Sequence, residues 1–253
     1  MRKLFSLIVM MATMTTSYAQ KQLVLYYSET GTTKTVAQEL QKQLGADIEE
    51  IEAVVPYSGN FQETIQRGQR EMQSGEMPAI KPLKKKIADY DIFFLGYPIW
   101  FGTYANPIIT LVKEQDFAGK TIVPFCTFGS GGLNTSSDAL KKALPKATIA
   151  KGYGVRTARV NAAAKELDRF LKENGYKKGS VEKLPDYSAQ QPVTDAERQI
   201  FDAACSSYQF TPDGTDYKFT VASRGMNGGG ETTSIIYVTV GKDTKPEFTE
   251  VVR

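Results

Sequence analysis

The sequence predicts a doubly wound α/β domain with a five-stranded parallel sheet, followed by a small α+β domain. Three observations carry that expectation. Continuously apolar runs of strand length, such as Asp91 to Tyr97 (DIFFLGY), suit a parallel sheet covered on both faces. These runs alternate with stretches whose apolar residues recur at helical spacing, the order expected of a doubly wound sheet. Past residue 175 the composition turns to Lys, Gly, Ser and Pro, and beyond that stretch alternation with period two takes over.

Leu23 to Tyr27 (LVLYY) is the first strand, and Val36, Leu40 and Leu44 mark one face of the helix after it. Ala46 to Val55 reads as a second strand nearer an edge, ended by Pro56. Phe61, Ile65 and Met72 lie at helical spacing, and Gly75, Pro78 and Pro82 mark an irregular connection. The third strand, Asp91 to Tyr97, is expected to be broken by Pro98. Pro107 then opens a helix carrying Ile108, Ile109, Leu111 and Val112. Thr121 to Thr127 (TIVPFCT) is the fourth strand, although Pro124 cannot donate to a ladder. A glycine-rich loop, Phe128 to Asn134, leads to a helix through Leu140 and Leu144. Ala147 to Gly154 is the fifth strand, and Ala163, Leu167, Phe170 and Leu171 lie on a closing helix, so the domain spans residues 21–175. In the order 2-1-3-4-5, strands 1, 3 and 4 are neighbours. The loops after them therefore converge at the carboxyl ends of the strands, where such sheets bind ligands.

Composition narrows the chemistry. The 253 residues contain no histidine, which excludes Ser-His-Asp and Cys-His catalysis and the commonest zinc sites, so redox or group-transfer chemistry needs a cofactor. Residues 1–19 pair Arg2 and Lys3 with an apolar run, Leu4 to Ala12, and end on Ser17-Tyr18-Ala19, the pattern of a cleaved secretory signal peptide; the run is too short to span a bilayer. No cysteine follows that run to take a lipid, so neither anchor is expected and the mature protein is expected to be exported, periplasmic or secreted. Loss of Arg2 and Lys3 lowers the formal charge from +3 to +1, and the one basic run, Lys84-Lys85-Lys86, reads as a solvated helix face. A nucleic-acid partner is therefore set aside. Cys126 and Cys205 lie in different segments and are expected to be buried free thiols.

Between the first strand and its helix, Ser28, Glu29, Thr30, Gly31, Thr32 and Thr33 supply hydroxyls, backbone N–H groups and one glycine able to take a positive φ beside a helix N-terminus. That is the chemistry of a phosphate cradle. The Gly-Lys-Ser/Thr ending of a nucleotide triphosphate loop and the repeated glycines of the dinucleotide fingerprint are both absent. The competing reading is that Ser28 and the threonines merely cap a helix.

SETGTT after the first strand, GYPIWFGTYANP after the third and CTFGSGG after the fourth resemble the three flavin mononucleotide loops of the flavodoxin family, over about three fifths of the chain. The resemblance implies FMN, its phosphate held at Ser28 to Thr33. Its isoalloxazine ring would lie between Pro98, Ile99, Trp100, Phe101 and Gly102 on one side and Thr127, Phe128, Gly129, Gly131 and Gly132 on the other. Trp100 and Phe101 can offer flat apolar surface, and the glycines allow backbone N–H groups to approach the ring. The third loop departs from the acidic, aromatic pattern of many electron-transfer flavodoxins. The expected activity is electron transfer or reduction of a small acceptor such as a quinone, with an unnamed redox partner. The alternative is a non-enzymatic binding or adaptor protein on the same scaffold.

Residues 176–191 read as a linker and residues 192–253 as a second unit. Thr194-Asp195-Ala196-Glu197 forms a capping box before a stripe of Val193, Ala196, Ile200 and Ala203. Tyr217, Phe219 and Val221, then Ile236, Val238 and Val240, alternate as strands around a turn at Pro212 to Gly214 and a loop at Gly225 to Gly230, and Phe248 to Val252 is a last strand. This element order, with GTDYKF, resembles cystatin-like folds. Protease inhibition is not carried over from it; packing or partner docking is the expected role, and an inhibitor-like module is the weaker alternative.

Overall fold

The computed structural model describes residues 20–58, 60–129, 131–181, 192–206, 214–224, 231–241 and 246–252. The expected signal peptide, Ser130, most of the linker, Pro212 and Asp213 of the turn, and the loop at Gly225 to Gly230 lie outside the described residues, as does the side chain of Cys205.

The first unit runs β1 (Gln22–Tyr26), α1 (Thr32–Leu44), β2 (Asp47–Glu50), α2 (Phe61–Ser74), β3 (Ile92–Trp100), β4 (Thr103–Tyr104), α3 (Asn106–Glu114), β5 (Thr121–Phe128), α4 (Leu133–Ala143), β6 (Thr148–Ile149), β7 (Tyr153–Arg156) and α5 (Ala163–Glu173). The parallel order is β2-β1-β3-β5-β6, with β7 also on β5 and β4 paired antiparallel to β3. The five expected parallel positions are thus present. Alternate residues of each strand feed two cores. Leu23, Leu25, Phe93 and Leu95 pack with Ile108 and Leu111 of α3 and Leu140 of α4; Val24, Tyr26, Ile92 and Phe94 pack with Val36 and Leu40 of α1 and Leu167 and Leu171 of α5.

Two prolines behave differently from what their position in the sequence suggests. Pro98 does not break β3, which pairs with β5 as far as Pro98 and continues to Trp100 against β4. The carbonyl of Gly96 accepts from Tyr27 on the β1 side, and Pro98, two residues on, faces that same side where β1 has already ended. Its missing N–H therefore costs no β1 ladder bond. Pro124 does interrupt pairing. The carbonyl of Ile122 accepts from Ala150, so Pro124 also faces the fifth position, and there that strand breaks into β6 and β7. A Cβ on Gly152 in the break would lie 2.6 Å from the Pro124 carbonyl oxygen.

Four local expectations need correction. β2 stops at Glu50, and Ala53 forms only an isolated bridge to Ile80. The apolar residues of α2 do not form a core face: Phe61 is 74 % exposed and Met72 42 %, and the one buried residue of that helix is Gly68. The lysine run is a bend rather than a helix face; the amides of Lys84 and Lys85 donate to the Glu49 carboxylate at 2.6 and 2.8 Å, an acceptor 35 residues distant that no local pattern announces. Tyr176 and Lys177, read as the start of the linker, pack on the α/β unit: the Tyr176 ring lies 5.2 Å from that of Phe94, and the Lys177 ammonium donates to Asp168 at 2.6 Å. Cys126 is a buried free thiol as expected, and burial pushes its pKa up.

The C-terminal stretch contains α6 (Asp195–Ser206) and an antiparallel sheet β10-β9-β8 formed by β8 (Gly214–Arg224), β9 (Glu231–Gly241) and β10 (Pro246–Val252). The capping box is complete: the Thr194 N–H donates to Glu197 at 2.8 Å and the Glu197 N–H to the Thr194 hydroxyl at 3.3 Å.

Candidate functional site

The cradle residues begin where β1 ends. Gly31 takes φ 86°, a conformation an L side chain resists, and turns the chain from strand into α1. The first helical bond is Thr35 N–H to the Gly31 carbonyl at 3.0 Å, so the N–H groups of Thr32 and Thr33 have no intrahelical acceptor. No side chain caps Gly31, and the first turn carries no acid. Ser28 does part of the capping work, since its hydroxyl accepts from the Lys34 N–H at 3.2 Å. The hydroxyls of Thr30 and Thr32 lie 3.3 Å apart at the mouth of the loop. Glu29 turns back to accept from the Tyr27 phenol at 2.6 Å. Burial first, then that bond, pushes the Tyr27 pKa well above the ordinary phenol value, so the group stays a donor.

The second loop is a hairpin rather than an open βα connection. Trp100 pairs with Thr103 across a two-residue turn in which Phe101 and Gly102 both have positive φ, 51° and 83°. Pro98 and Ile99 belong to the strand that carries it. Trp100 is partly exposed and meets Tyr27 and Tyr57 edge-on, with ring centroids at 5.8 and 5.0 Å. The Phe101 ring lies over Gly68 of α2, where an added Cβ would meet it at 3.0 Å.

The third loop leaves β5 through Thr127 and Phe128. Gly129 is exposed, and Gly131 and Gly132 have φ 112° and 125° before α4, whose N-terminus has no side-chain cap among the described residues. A Cβ on Gly132 would lie 2.7 Å from Ile99, so this glycine permits the second and third loops to touch. The Phe128 ring packs over Gly154 of β7.

Three pairwise contacts therefore bring the loops together: Thr33 to Thr127 between first and third, Ile99 to Gly132 between second and third, and Tyr27 to Trp100 between first and second. The Thr33 and Thr127 hydroxyls are 2.8 Å apart and only 1 % and 3 % exposed. One bond uses one of the two protons, and the other has no acceptor among the described residues. A doubly charged phosphate ester suits this donor set, which combines hydroxyls, free N–H groups and an unopposed helix N-terminus. Tyr57, which meets Trp100, and Glu71, which accepts from Tyr57 and Asn106, were missed in the sequence. The one available signal was Gly68 inside a helical pattern, which marks close approach by another group.

The flavodoxin family model matches residues 21–171, more than half of the chain. Flavodoxin 1 of Salmonella typhimurium is 26 % identical over 106 residues, 40 % of this chain and 46 % of that protein, so the match spans about half of that relative's length. A candidate flavoprotein of Bacteroides uniformis is 28 % identical with a TM-score of 0.53, covering 60 % of this chain and 99 % of the other. A candidate flavoprotein of Bacteroides eggerthii is 32 % identical with a TM-score of 0.50, covering 59 % and 99 %. A Lactobacillus acidophilus flavoprotein solved in complex with FMN shares the fold at 22 % identity and a TM-score of 0.51, over 61 % of this chain and 100 % of its own. With its parallel strand order, its converging loops and this match, the chain belongs to the flavodoxin family.

Proposed function

We propose that this protein binds FMN at the carboxyl ends of β1, β3 and β5 and serves in electron transfer or in reduction of a small acceptor such as a quinone. The observation that carries the reading is the acid-free N-terminus of α1, whose Thr32 and Thr33 N–H groups have no intrahelical acceptor, surrounded by Ser28, Thr30 and Thr32 and tied to the third loop through Thr33 and Thr127. FMN, when bound, supplies one- and two-electron redox chemistry at its isoalloxazine ring. The chain's own residues bind and orient it. Hydroxyls and N–H groups of Ser28 to Thr33 hold the phosphate, while Trp100 offers apolar surface to the ring and keeps water from one side. Glu29, engaged by Tyr27, is held out of the phosphate's way. The Arg2 to Ala19 pattern supports export as the setting in which the protein works.

The absorbance spectrum of the purified protein, with identification of any chromophore released on denaturation, tests the reading. Titration of apo-protein should rank FMN above riboflavin, which lacks the dianion, and above FAD, which buries it in a diester. Equal affinity for riboflavin would remove the phosphate cradle from the account. Failure to bind any flavin would leave the adaptor reading.

A further inference from the structure

Trp100 is held by partners that come from far away in the chain. The Tyr57 ring lies 5.0 Å from it at 76°, and the Tyr57 phenol donates to Glu71 of α2 at 2.6 Å. The same carboxylate accepts from Asn106 at 2.8 Å, where α3 begins, and from Arg67 at 2.7 Å. The Arg67 guanidinium then lies 3.9 Å over the Tyr57 ring and donates to the Pro56 carbonyl at 2.8 Å. A cavity of about 260 Å³, lined in part by Tyr57, Thr64 and Arg67, opens beside this ring. Tyr57 is 7 % exposed, and on the side of that opening the bond to Glu71 and the arginine stack add to packing in holding its ring. On the other side, Tyr27 meets Trp100 while its phenol is fixed by Glu29 of the cradle. The indole is thus set by two tyrosines, each anchored on a carboxylate, one belonging to the phosphate loop and one to α2.

We propose that Tyr57 and Glu71 are positioning residues of the flavin site, fixing the Trp100 indole in the orientation that the bound ring meets. The proposal rests on the FMN reading above for its function, but its geometry is testable without any flavin. Trp100 is the only tryptophan of the chain, so its emission and its quenching by acrylamide report its setting in the apo-protein. Tyr57→Phe retains the ring and removes the bond to Glu71. Glu71→Gln retains an acceptor for the Tyr57 phenol, whereas Glu71→Ala removes it.

Tyr57→Phe and Glu71→Ala should both raise acrylamide quenching of Trp100 and weaken FMN binding by roughly tenfold, the effect of one lost charge-assisted hydrogen bond. Glu71→Gln should recover most of both. Gln69→Ala, an exposed change on the same helix away from that cavity, should alter neither. Wild-type quenching and unchanged FMN affinity in Tyr57→Phe would overturn the proposal, as would Glu71→Gln behaving like Glu71→Ala. If Glu71→Ala does not fold, Tyr57→Phe decides alone. If quenching follows the expected order while wild-type apo-protein binds no flavin, the positioning of Trp100 stands and the FMN reading fails.

Discussion

Removing one hydroxyl from the Thr33–Thr127 pair should cost more than removing both in sequence would suggest. The two oxygens are 2.8 Å apart in a site where both residues are almost fully buried, and they join the phosphate loop to the third loop. Thr33→Val replaces the hydroxyl by a methyl of similar volume, so little cavity forms. The Thr127 hydroxyl is left buried and unpaired, a penalty of about 1–3 kcal/mol. Thr127→Val does the same to Thr33. In the double variant both polar groups are gone and the apolar pair packs, so the total should fall short of the sum by about 1–2 kcal/mol. Urea unfolding of the apo-protein, analysed as a double-mutant cycle at constant slope, measures the coupling. Strict additivity of the two single effects would refute the claim that these hydroxyls depend on each other, and with it the tie between the two loops.

Gly96→Ala should prevent folding, because its Cβ would lie 2.0 Å from the Phe125 ring in the sheet interior; wild-type circular dichroism and melting would refute that packing. Acid should destabilise the protein partly through Asp168. Hydrogen bonds from Lys172 and then Lys177 hold its carboxyl below the ordinary carboxylate value, so its contribution is present above the unfolded-state pKa and is lost as pH falls through the lower folded value. Asp168→Asn should flatten that part of the stability–pH curve, and an unchanged curve would count against it. A chain ending after Lys178 should fold and bind FMN as the full chain does, since it keeps Tyr176 on Phe94 and Lys177 on Asp168; loss of flavin affinity on truncation would show that the C-terminal unit completes the site.

What the sequence determined by itself is whatever depends on neighbours along the chain. Burial on both faces of a parallel sheet requires unbroken apolar runs, so Leu23 to Tyr27, Ile92 to Tyr97 and Thr121 to Thr127 announced their strands. The cradle was legible for the same reason: a strand, a small polar loop with Gly31 and a helix N-terminus are contiguous, and their chemistry is local. The Thr194–Glu197 box, with partners three residues apart, was likewise legible. Tertiary structure decided what depends on which groups meet across the sheet. Pro98 and Pro124 are equally unable to donate, yet one is harmless and one breaks a strand, because the outcome depends on what lies opposite the missing N–H. The setting of Trp100 was hidden for the same reason. Tyr27, Tyr57 and Glu71 reach it from β1, from the loop before α2 and from α2 itself, and a ring contact or a carboxylate acceptor chosen by the fold leaves no period or spacing in the sequence.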